Sequence, residues 1–212
     1  MNKELIINTA LILVCLLMLL LFPFNMAASL MQLLLLYVVF FVLVPIVYTK
    51  KILKQPLTNL GFQLGDWRQG IKWVGIAWAI AALCVVILVR YTAYVQGNDI
   101  LQQISKSFLT FLVYELGIVG VFVVCFEIFF RGFVIATYRE RLGRMSVLLQ
   151  LGLFLLFLWL GQQLTLSFAV FPILAFCSGI VVYQTRSVVF AILSSWLFII
   201  LMDAILIRLF IR

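Results

Sequence analysis

Long apolar runs separated by short polar breaks set the pattern of the chain. Seven such runs, at 5–24, 28–49, 71–95, 108–137, 146–161, 166–184 and 187–210, approach or exceed the roughly 20 residues that a helix needs to cross a hydrocarbon core. The fifth and sixth are the shortest, so about seven spans are expected. None alternates apolar and polar residues with the two-residue period of a barrel strand. Backbone groups cannot stay unpaired in lipid, so the pattern predicts an all-α bundle. A single membrane domain over 1–212 results, with two N-terminal spans in 1–49, a polar segment at 50–72 and a core in 73–212. The first run follows Lys3 and stays apolar to Phe24. It exceeds the usual h-region of about 7–15 residues and lacks a small-x-small cleavage site, so it reads as a retained span rather than a signal peptide.

Composition agrees with that pattern. Hydrophobic residues make up 67% of the chain and charged residues 10%, with mean hydropathy +1.27, against roughly 45–50% apolar residues in soluble domains. The chain reads as a multi-pass membrane protein. Lys and Arg fix its expected orientation. With the N-terminus cytoplasmic, the inner side collects Lys3, Lys50, Lys51, Lys54, Arg68, Lys72, Arg131, Arg139, Arg141, Arg144 and Arg186, which is 11 of the 15 cations. Arg90, Lys106, Arg208 and Arg212 remain outside. The net charge of +8 (15 minus 7) therefore lies at span ends, where it serves orientation in the cell membrane and contact with anionic membrane lipids. With no soluble basic face, no nucleic-acid partner is expected. Segment 50–72 mixes lysines, leucines and Trp67, as a stretch lying in the cytoplasmic interface does. The stretch from Gln96 to Lys106 reads as a plain connector.

The chemistry available is narrow. Histidine is absent, and the four cysteines, Cys15, Cys84, Cys125 and Cys177, are dispersed with no C-x-x-C pair. They read as small buried apolar residues. Five ionisable residues fall inside spans: Glu115, Glu127, Arg131, Asp203 and Arg208. Each costs about 2.5–3.5 kcal/mol at the bilayer centre and needs a reason. Glu127 and Arg131 are four apart, the acid first, which predicts an ion pair facing the bundle interior. Glu115 precedes Glu127 by twelve residues, about 120° round a regular helix, so it is expected to face a different neighbour. Asp203 is expected to find a polar partner and Arg208 to reach the outer interface.

The run Phe126-Glu127-Ile128-Phe129-Phe130-Arg131-Gly132-Phe133 resembles the E-E-x-x-F-R-G signature of the CPBP family, the relatives of the CAAX prenyl endopeptidase also called Abi proteins. Two further stretches resemble the family in order and spacing: Asn59-Leu60-Gly61-Phe62 with Trp67-Arg68-Gln69-Gly70, and Phe176 to Ser187. The resemblance covers most of 59–200 and implies a CAAX-protease-like core with a cavity between helices, open to the cytoplasm. In active relatives that core binds zinc and cleaves peptides.

Here the metal-binding positions are altered. The first glutamate of the signature is Phe126, leaving Glu127 and Arg131; the histidine of the second motif aligns with Gly161; the third motif places Ser195 for histidine and Ile199 for its amide or acid. Phe, Gly, Ser and Ile cannot supply the roughly four N, S or O ligands that zinc requires. No intact catalytic residue, metal or cofactor is therefore expected, zinc belonging only to active relatives. The implied function is a catalytically inactive scaffold or regulator that binds a membrane-protein or cell-envelope enzyme partner, with the cavity lined by Phe126, Gly161, Ser195 and Ile199. The alternative is a divergent CPBP endopeptidase cleaving prenylated or small peptides. A transporter would rest on the intramembrane charges alone and lacks the half-repeat of many transporters.

Overall fold

The computed structural model describes residues 3–21, 30–95 and 99–211, which are 86% helical with no strand among them. Five helices are long and apolar enough to cross a membrane: α1 (Lys3–Leu21), α2 (Leu30–Ile52), α3 (Trp67–Tyr91), α5 (Phe108–Leu142) and α8 (Val188–Phe210). The short α4 (Asp99–Ile104) precedes α5. Two shorter apolar helices, α6 (Met145–Leu160) and α7 (Val170–Thr185), correspond to the fifth and sixth runs. At 16 residues each they extend about 24 Å, less than the hydrocarbon thickness of about 30 Å. The expected seven spans are thus five full-length helices and two that fall short, an arrangement compatible with a membrane helical bundle.

Helix α5 is the axis of the bundle. In its most apolar stretch 78% of residues are buried, against 17–39% in the other long helices. Its neighbours form two apolar cores. On one side α1, α2 and α6 pack Leu16, Phe41 and Phe157 against Phe129 and Phe130. On the other, α3, α7 and α8 pack Ala81, Leu174 and Phe198 around Val119 and Val123. Small residues permit the closest approaches. A Cβ on Gly179 of α7 would come within 2.8 Å of the Gln150 amide on α6, and one on Gly70 of α3 would overlap the Phe190 ring.

The polar segments do more than connect. Helix α2 runs on to Ile52, and α3 starts at Trp67 because the Asp66 carboxylate caps it, accepting from the Arg68 and Gln69 amides at 2.9 and 3.3 Å. Between them, a 3-10 turn at Leu57–Leu60 leads into Gly61, whose φ of +88° suits glycine. Leu60 and Gly61 are buried between α5 and α8: the Gly61 carbonyl accepts from Val188 N at 2.9 Å, and a Cβ on Gly132 would meet the Leu60 carbonyl at 3.0 Å. The connector at 96–106 likewise contains α4, whose Leu101 and Ile104 are buried in the second core. Leu101 and Ile104 thereby join that core, while residues 96–98 lie outside the described residues.

Contacts at one end gather the basic residues. Gln55 donates to Glu4, Tyr48 to Asn8, and Gln63 to the Arg186 carbonyl, while Arg139 donates to the Tyr183 carbonyl. The start of α1, the end of α2, the end of α5 and the α7–α8 turn therefore share that end, as the charge pattern predicts.

Candidate functional site: the buried Glu127–Arg131 cluster

Helix α5 departs from regular α geometry at Tyr114–Val119 and Glu127–Val134, where the turns widen to π form. Each π insertion adds a residue to a turn, so twelve residues span the rotation of eleven. The angle between Glu115 and Glu127 shrinks from about 120° to about 20°. The expectation that Glu115 faces a different neighbour from Glu127 is thereby corrected: both turn toward α8. Glu127 meets Ser195, and Glu115 lies beside Asp203, which is eight residues further along α8. Glu115 is fully buried, and neither of its carboxyl oxygens is hydrogen-bonded. The Glu115 backbone carbonyl accepts from the Trp196 indole at 2.9 Å. Arg208 is exposed near the end of α8.

The expected ion pair forms. Arg131 Nε lies 3.6 Å from Glu127 Oε2, with both side chains almost wholly buried. That separation is ionic contact without a hydrogen bond, and neighbouring helices supply the rest. Ser195 Oγ of α8 donates to Glu127 Oε1 at 3.0 Å. Arg131 Nε donates to Ser178 Oγ of α7 at 3.1 Å, and its Nη1 to the Phe126 carbonyl at 3.2 Å. The guanidinium also lies 5.3 Å from the Phe154 ring centre of α6, within cation–π range. One charged pair thus ties α5 to α6, α7 and α8. Ser178 and Phe154 went unremarked in the sequence; a serine in an otherwise apolar helix was the available signal for the first.

The other motif positions do not converge on this cluster. The Phe126 ring packs into an aromatic cluster, its centre between 5.4 and 6.2 Å from those of Tyr37, Phe41, Phe122, Phe130, Phe154 and Phe157. Gly161 ends α6 at the far end of the bundle, where a Cβ would meet the Phe157 carbonyl, Leu20 and Gln163. Ile199 belongs to the second core with Leu174 and Met202. Among the sequence-identified residues, Glu127, Arg131 and Ser195 come together, Phe126 borders them through its carbonyl and its packing on Phe154, and Gly161 and Ile199 lie elsewhere.

The expected cavity lined by Phe126, Gly161, Ser195 and Ile199 is absent among the described residues. In its place, a polar cavity of about 820 Å³ opens at the basic end and is lined by none of those four. Three cysteines are buried and Cys84 is half-buried, all unpaired. Comparison of the chain with protein-family models, curated proteins and solved structures finds no match.

Proposed function

We propose that this chain is a catalytically inactive CPBP/Abi-like protein of the cell membrane, its N-terminus cytoplasmic, acting as a scaffold or regulator for a membrane or cell-envelope partner. The segments that carry the resemblance meet in space, which supports a CAAX-protease-like core. Leu60 and Gly61 pack on Gly132 and Val188, Arg131 reaches Ser178, and Glu127 accepts from Ser195.

The observation that carries the reading is the closure of Glu127. Its carboxylate is buried, faces a guanidinium and accepts from a serine, while the preceding position is a phenyl ring packed among six others. Zinc does not fit this donor set. It needs about four N, S or O ligands, and no three His, Cys, Asp or Glu side chains cluster suitably among the described residues. The Ser195 hydroxyl is within general-base reach of Glu127, but both side chains are buried and, among the described residues, no third group orients them as base and nucleophile.

Purified protein washed with chelator should contain no stoichiometric transition metal and should leave prenylated test peptides uncleaved. About one metal per chain together with cleavage would establish the endopeptidase instead. The scaffold role predicts that a cell-envelope protein cross-links to the chain in intact membranes at a fixed site; a chain that cross-links only to itself or to lipid refutes that role.

A further inference from the structure

The cavity of about 820 Å³ at the basic end is within the size range of small-molecule sites, roughly 300–1,000 Å³. Such sites are usually apolar. This one is lined by Asn8, Thr49, Arg139, Arg141, Tyr183 and Arg186, with the buried Arg131 also contributing and Glu4 and Glu140 as the only acids.

The charges of this lining are unbalanced. Arg131 is committed to Glu127, and among the described residues Arg139, Arg141 and Arg186 have no carboxylate within 4.0 Å. Glu4 already accepts from Gln55. Arg139 is held in place by its bond to the Tyr183 carbonyl and by lying 4.8 Å from the centre of the Tyr183 ring. Arg186 is close enough for the two positive charges to repel. It occupies a left-handed turn at the end of α7, φ +56°, where its carbonyl is bound by Gln63. Arg139 and Arg186 therefore line one cavity, and neither is ion-paired with a carboxylate among the described residues.

Two neutral donors border the same space. Thr49 is 2% exposed and lines the cavity, and its hydroxyl has no hydrogen-bond partner. Asn8 accepts from Tyr48 through Oδ1 at 2.6 Å, which leaves its amide N–H groups to donate. A buried hydroxyl without a partner costs about 1–3 kcal/mol, and an oxygen-rich ligand would satisfy it. Guanidinium groups recognise phosphate oxygens in paired, charge-assisted hydrogen bonds.

We propose that this cavity binds a phosphate-bearing ligand, seated between Arg139 and Arg186 with Thr49 and Asn8 as further donors. The phosphate is that of an anionic lipid headgroup reaching in at the membrane surface or of a free phosphate compound. This inference goes beyond the scaffold reading and does not depend on loss of catalysis.

The test uses the full chain in nanodiscs of phosphatidylcholine, with and without phosphatidylglycerol, and in detergent with inorganic phosphate or pyrophosphate. Thermal unfolding and native mass spectrometry are the readouts. Arg186 is exposed, so Arg186→Gln leaves the packing intact, and Lys106→Gln at the far end is the control. Wild-type protein should be stabilised by at least one probe, and Arg186→Gln should weaken that binding about tenfold or more, the loss of one charge-assisted contact. Lys106→Gln should not. A response only to phosphatidylglycerol assigns a lipid source; a response to the inorganic anions assigns a free compound. No response to any probe, or equal loss in both variants, overturns the proposal. Neither outcome changes the metal and cleavage result that tests the inactive reading.

Discussion

Glu127 is held by two side chains, Arg131 and Ser195, and their removal should be felt unequally. Breaking a buried pair by deleting one partner typically costs about 3–5 kcal/mol, because the other charge stays behind in low dielectric. Glu127→Ala and Arg131→Ala are each expected to lower the unfolding temperature in detergent on that scale. The double variant should lose less than the sum of the two, since residues in contact are not additive. Ser195→Ala removes one hydrogen bond to a charged group, about 1.5–3 kcal/mol, and should fall below either single variant of the pair in effect. A Glu127→Ala protein with unchanged melting but a lost binding activity would make Glu127 a functional residue instead of a structural one.

Among the elements, the turn at Leu57–Leu60 has more influence than its four residues suggest. It places Gly61 where a Cβ would stand 2.9 Å from both Val188 Cγ2 and Val188 N, on a backbone with φ +88°. Gly61→Ala therefore combines left-handed strain with overpacking, together about 1–3 kcal/mol or more. Lower thermal stability and faster trypsin cleavage at Lys54 are the expected signs. Gly152 in α6 has open space around it, and Gly152→Ala should leave stability unchanged or raise it by up to about 1 kcal/mol through helix propensity. Equal behaviour of the two variants would show that the turn does not fasten α5 to α8.

On the scale of the whole molecule, the basic residues of four helix ends lie together at one end of the bundle, and accessibility tests which side that end faces. Single cysteines placed at 50–70 and at 138–145 in a background lacking Cys15, Cys84, Cys125 and Cys177 should react only with reagent on the cytoplasmic side. Positions in the 96–106 stretch should react from outside. Reversed labelling would invert the orientation drawn from the Lys and Arg distribution without altering the fold.

The sequence by itself determined the helical class, the seven apolar runs, the gathering of cations at one end and the Glu127–Arg131 pairing; that only five of those runs form helices of spanning length emerged from the structure. Each follows from a local property, namely run length, the hydropathy of consecutive residues or a four-residue spacing on one helix. Tertiary structure decided what depends on rotation and on partners distant in the chain. The π-form stretch at Tyr114–Val119 in α5 turned Glu115 and Glu127 to the same neighbour, against the phase of a regular helix. Serines of α7 and α8, 47 and 68 residues away, completed the charged cluster, and no spacing rule reaches that far. Gly161 and Ile199 separated because α6 carries Gly161 to the far end and Ile199 belongs to the second core. The polar cavity arose where four helix ends converged, each contributing only one or a few polar side chains, so no single stretch of sequence could announce it.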